Sequence, residues 1–169
     1  MSIPPQSLLL PQWAYVPGET AEVAADYETL AQAKLLVPLR FGGYVPARHP
    51  ALRYGIALND HGYFWEAQEI LETVWAAAPQ GGRERILLRA CIHIAYANLR
   101  LRMQKPNAAA RSFGEALGEL DALHKAATGG DGFADGFPAA SLAGLLRARL
   151  VLPSLSKADW VAIGAVGRT

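Results

Sequence analysis

Apolar residues recur at intervals of three and four along most of this 169-residue chain, and proline and glycine interrupt the recurrence at a few places. That period turns one stripe of a helix toward a core. It predicts a helix over 18–36 that Thr20 caps, a Gly/Pro loop over 37–50, and a helix from Pro50 to a break at Gly62. Further helices follow over 63–77, 83–103, 108–126 (capped by Asn107) and 141–150. Ser156 and Asp159 form a capping-box pattern ahead of a last short helix. Residues 1–18 are broken by Pro4, Pro5, Pro11 and Pro17 and read as an irregular arm lying over the domain. "TGGDGFADGFP" reads as a loop.

No segment needs a strand. Short links between helices make sequence neighbours antiparallel. The expected fold is all-α: an antiparallel helical bundle with an irregular N-terminal arm and short C-terminal helices. One domain is expected, divided into an arm with one helix (1–47), a bundle core (48–126) and a loop with a helical tail (127–169).

Composition supports this picture. About half of the chain, 51%, is apolar, and alanine and leucine dominate, which favours helix over strand. The net charge of +1 gives no field to gather nucleic acid or an anionic membrane. Arg40, Arg48, Arg53 and Arg83 are scattered, with no aromatic stripe between them, so no nucleic-acid partner is expected. The longest apolar run, "ILLRACIHIAYANL", is interrupted by Arg89 and His93 and reads as a buried helix rather than a membrane span. Cys91 is the single cysteine, so no intrachain disulfide forms, and the N-terminus makes a poor signal peptide. A cytoplasmic location is expected.

Two helices carry the informative polar residues. On 63–77, Phe64, Ala67, Leu71, Val74 and Trp75 share one face, Gln68 falls on that face, and Glu72 lies at its edge. Glu66 and Glu69 point the other way, as a solvated face. On 83–103, Ile86, Ala90, Ile94, Ala97 and Leu101 form one apolar stripe, and Leu88, Ile92, Leu99 and Met103 another. Between them Arg89, His93, Tyr96 and Arg100 form a narrow polar stripe. Buried charges need partners. The expectation is that Glu72 pairs with Arg89 and Gln68 with His93 across an antiparallel helix pair. Such a pairing would make Glu72→Gln cost about 3 kcal/mol.

The stretch "LNDHGYFWEAQEILETVW" resembles the signature of the domain of unknown function 309 family: Asn-x-x-Gly, an aromatic residue, Glu-Ala-His-Glu, a further Glu and a Trp. The matching positions are Asn59, Gly62, Phe64, Trp65, Glu66, Ala67, Glu69, Glu72 and Trp75. "LLRACIHIAYANLRL" and "KPNAAARSFGEAL" extend the likeness over about 48–125. The resemblance implies an all-α bundle with no established activity. Gln68 stands where the family has histidine. An amide neither moves protons near neutral pH nor ligates metal well, although it keeps hydrogen-bonding capacity.

Other motifs carry no chemistry here. "QEILE" lacks both histidines of a zincin helix. His49, His61, His93 and His124 have no ligand-like spacing, and "GGDGFADGF" lacks the acids of an EF-hand, so no metal is expected. No Walker or dinucleotide fingerprint is present, and no cofactor is expected. Cys91 and His93, two apart on a helix, do not face each other.

Two functional readings stay open. One is a non-enzymatic binding or interaction module, with an internal polar network and a protein partner. Its apolar arms, too short to be domains, suggest self-association. The other is a small-molecule or hydrolytic site built from Gln68, Glu72, Arg89 and His93, together with Trp75, Tyr96 and Arg100. A pocket of roughly 300 Å³ or more touching these groups favours the second.

Overall fold

The computed structural model describes residues 8–19, 27–123 and 130–164. Among the described residues the helices are α1 (Tyr27–Lys34), α2 (Pro50–Asp60), α3 (Phe64–Ala77), α4 (Arg83–Arg102), α5 (Pro106–Ala122), α6 (Phe133–Gly136) and α7 (Ala139–Leu150), followed by a 3-10 turn, Lys157–Asp159. The described residues contain no strand, only an isolated bridge between Pro46 and Gly132. The fold is the expected all-α antiparallel bundle. No helix among the described residues is long and apolar enough to cross a membrane.

Local chemistry sets most helix ends. Pro50 opens α2, and the His49 ring accepts the Ala51 N–H at 3.2 Å. α2 closes in a Schellman motif: Tyr63 N–H reaches Leu58 C=O at 2.8 Å and Gly62 N–H reaches Asn59 C=O at 3.0 Å. Gly62 has φ +90°, the left-handed conformation that glycine takes without steric cost. α4 ends the same way, with Lys105 N–H on Arg100 C=O at 2.8 Å and Gln104 N–H on Leu101 C=O at 3.0 Å. Here the left-handed position is Gln104, at φ 61°.

Several boundaries differ from expectation. The helix predicted over 18–36 is described only as Tyr27–Lys34, and Thr20 lies outside the described residues. α5 starts at Pro106 rather than after an Asn107 cap, because proline needs no intrahelical N–H partner at the first helical position. The predicted loop near 133 contains α6, whose Phe133 N–H bonds Val45 C=O at 2.8 Å. The Ser156–Asp159 capping box does form, with Asp159 accepting the Ser156 N–H at 2.8 Å.

The core runs through α4, which packs between α3 and α5 and is buried along Leu87, Leu88, Cys91, Ile94 and Leu101. α2 closes on α3 so tightly that a Cβ at Gly55 would meet Leu71 Cδ2 at 2.8 Å. The N-terminal arm lies over α2 and α3. Tyr54 O–H donates to Leu9 C=O at 2.6 Å, and Val16 packs with Phe64 and Leu99.

The C-terminal segment returns to the other end of α2 and α4. Asn98 donates to Val161 C=O at 2.8 Å and accepts Val161 N–H at 2.8 Å. It also donates to Asn59 at 2.9 Å. Asp60 accepts the N–H groups of Ile163 and Gly164 at 2.6 and 2.7 Å. With Asn59 also donating to Val161 C=O at 3.1 Å, five polar contacts seat an irregular segment whose Val161 and Ile163 side chains are fully buried.

Candidate functional site

α3, α4 and α5 form a furrow floored by the polar stripe of α4. Arg89 and Tyr96 are exposed there, and His93 and Arg100 are half-buried. The stripe is therefore a side of α4 that its neighbours leave open. Its partners come from α5. Arg89 lies 3.8 Å from Glu119, and His93 Nδ1 lies 3.2 Å from Glu115 Oε2. The expected pairs of Glu72 with Arg89 and of Gln68 with His93 do not form. α5 closes on α4 from the far side and presents Glu115 and Glu119, one turn apart, to these two side chains. In the sequence these acids look like an ordinary solvated face, and only their spacing, matched to Arg89 and His93, could have signalled the pairing.

Two cavities open along the furrow. The wider, about 820 Å³, is bounded by Glu72, Trp75 and Ala76 of α3, Arg89, Ile92 and His93 of α4, and Glu115, Gly118 and Glu119 of α5. Trp75 gives it an aromatic wall, with the Arg85 guanidinium 4.0 Å and the Arg89 guanidinium 5.3 Å from its ring centre. Arg85 also donates to Ala78 C=O at 3.1 Å, closing the end of α3.

The narrower cavity, about 320 Å³, lies between α3 and α4. Gln68 and Glu72 line one side, and Tyr96, Arg100 and Lys105 the other. Arg100 stacks over Tyr96 at 3.6 Å. Glu72 borders both cavities. Its carboxyl is raised above the ordinary carboxylate range, first by loss of solvent and then by the neighbouring charge of Glu69, with Lys34 pulling the other way. Seven residues singled out by sequence (Gln68, Glu72, Trp75, Arg89, His93, Tyr96 and Arg100) thus border one furrow, divided between two cavities.

The motif residues divide differently. Asn59 and Gly62 sit at the end of α2 and serve the tail anchor and the Schellman turn. Trp65 packs edge-on against Tyr15 and Tyr27, at 5.0 and 5.8 Å between ring centres. Glu69 keeps its expected surface position, 3.6 Å from Lys34. Glu66 does not: it is 0% exposed, and its carboxylate accepts the Tyr15 N–H at 2.7 Å. The arm covers the face that a helical wheel of α3 alone assigns to solvent. Cys91 is fully buried in apolar surroundings, which push its thiol far above its ordinary value, so it offers no nucleophile.

Fold and furrow define an all-α bundle with an open, polar-lined face on its three central helices. Residues 52–112 match the model of the family described as Domain of unknown function (DUF309). The matched stretch runs from α2 into α5 and stops short of Glu115 and Glu119. No curated protein and no solved structure matches the chain.

Proposed function

We propose that this protein is a small-molecule-binding module whose ligand occupies the wider cavity between α3, α4 and α5. The observation that carries this reading is a cavity of about 820 Å³ joining an apolar wall (Trp75, Ile92, Ala76) to the polar groups Glu72, Arg89 and His93. Volumes of roughly 300–1,000 Å³ with a few convergent polar groups are typical of ligand sites. Gly118 supports it. A Cβ there would meet nothing within 4 Å, yet glycine inside a helix costs about 1 kcal/mol relative to alanine. Without a side chain at Gly118, the α5 wall of the cavity stays low. A hydrolytic reading would use His93 and Glu115, 3.2 Å apart, to activate water directly.

A fragment screen by ligand-observed NMR tests the proposal, using wild type and Gly118→Phe. The variant fills the cavity from a solvent-facing position and leaves the core alone. Fragments that bind wild type and are lost from Gly118→Phe support the site. A screen without hits, or hits unaffected by the variant, overturns it.

A second reading, a protein-interaction module, draws on Leu35, Leu36 and Leu39, which follow α1 and are exposed, Leu35 at 85% and Leu39 at 94%. Clustered exposed leucines are the usual mark of a contact surface. Under this reading the chain self-associates, and Leu35→Ser with Leu39→Ser shifts sedimentation equilibrium toward monomer. A wild type that is already monomeric at high concentration rejects it. Either function suits a cytoplasmic protein, consistent with a lone, fully buried cysteine thiol.

A further inference from the structure

The narrower cavity presents polar groups that the protein itself leaves uncommitted. Gln68 is only 6% exposed, borders the cavity, and has no hydrogen-bond partner among the described residues. Its amide atoms open to the cavity, and a carboxamide can both donate and accept. Arg100 stacks on Tyr96 but meets no carboxylate among the described residues, and Lys105 likewise has no ion pair. Glu72 is equally unpaired there, although its neighbour Glu69 is held by Lys34.

The order of these groups is set by the helices. Glu72 borders the wider cavity as well, so it lies at the Arg89–His93 end. Lys105 follows the last residue of α4, so it lies at the other end, beyond Arg100. Gln68 stands one turn from Glu72, about 6 Å along α3. The cavity thus has an anionic end, a carboxamide, and a cationic end, in that sequence. A free dipeptide carries the complement: an ammonium, one amide and a carboxylate spread over roughly 7 Å of extended chain.

We propose that this cavity binds a free dipeptide, its ammonium on Glu72, its amide on Gln68 and its carboxylate on Arg100 and Lys105. The volume of about 320 Å³ admits small side chains against the apolar wall of Leu99 and Met103. An incoming ammonium also relieves the unfavourable surroundings of the Glu72 charge. The inference extends the binding reading to a second cavity and does not depend on the wider one being occupied.

Titration calorimetry and amide NMR with L-alanyl-L-alanine test it, with three comparison probes. N-acetyl-alanyl-alanine lacks the ammonium, alanyl-alanine amide lacks the carboxylate, and 5-aminopentanoate keeps both charges without the amide. The expected result is saturable binding of the dipeptide that shifts the Gln68 side-chain NH₂ signals, with each probe at least tenfold weaker. Glu72→Gln and Arg100→Ala, both at the cavity rim, each lose at least tenfold while melting near wild type. Gly118→Phe retains dipeptide binding, which separates this cavity from the wider one. No binding to wild type, equal binding of any comparison probe, or binding unchanged in both rim variants overturns the proposal.

Discussion

Glu72 stands at the junction of the two cavities without an ion pair among the described residues, and its carboxyl is raised by desolvation and by Glu69. Raised means that the folded state holds the proton more tightly. The stability this group contributes is full below its ordinary value of 4.5 and lost as pH rises through the folded value. At neutral pH, then, its charge is a small burden. Glu72→Gln is expected to melt within about 0.5 kcal/mol of wild type, on the stabilising side, because the group is largely solvated. This reverses the loss that a Glu72–Arg89 pair would imply, and thermal unfolding at pH 7 checks it. Asn98 is the opposite case. It holds both backbone groups of Val161 and the amide of Asn59 in the core. Asn98→Ala strands these partners and is expected to cost about 3 kcal/mol in urea unfolding. A change below 1 kcal/mol would mean that the tail detaches at little cost.

Helix ends carry the next set of consequences. α2 and α4 both stop in Schellman turns, one with Gly62 and one with Gln104 in the left-handed position. A residue with a Cβ pays about 1–2 kcal/mol there. Gln104→Gly should therefore raise stability by about 1 kcal/mol, some of the gain being returned to the unfolded chain. Gly62→Ala should lower it by a similar amount, since its surroundings are open and only the backbone objects. The pair can be read in one denaturation series. These turns matter to the furrow because the α4 turn sets the position of Lys105 and the α2 turn sets the entry of α3. The α2 turn was legible in the Gly62 break, and the Ser156–Asp159 box likewise follows from neighbouring residues; the left-handed Gln104 carried no such signal. The Asn107 cap did not form, because Pro106 already satisfied the start of α5.

At the scale of the molecule, stability couples to pH through His49, whose ring caps α2 and meets Phe41 edge-on at 5.0 Å between ring centres. Burial lowers its pKa from the ordinary 6.5, against a smaller opposing effect from its bond with the Leu36 backbone. The unfolded chain then binds the proton more readily, so this group's stability is full above pH 6.5 and declines as pH falls through the folded value. A protonated ring also loses its acceptor for the Ala51 N–H. Wild type should lose stability between pH 7 and 5.5, and His49→Asn, a cap that does not titrate, should flatten that slope in urea titrations. Equal slopes would place the dependence elsewhere.

The amino-acid order by itself determined the helices, their antiparallel sequence and the polar stripe on α4, because periodicity and caps act over a few neighbouring residues. A helical wheel fixes angles within one helix; it does not fix the angle at which two helices meet or which third element arrives. Those were decided only by packing. Packing turned Arg89 and His93 toward Glu115 and Glu119, put Glu66 under the arm, and joined Asn59, Asn98 and Val161 across long stretches of chain. It also left Gln68 and Glu72 on cavity walls, because no side chain from another element arrives to pair with them among the described residues.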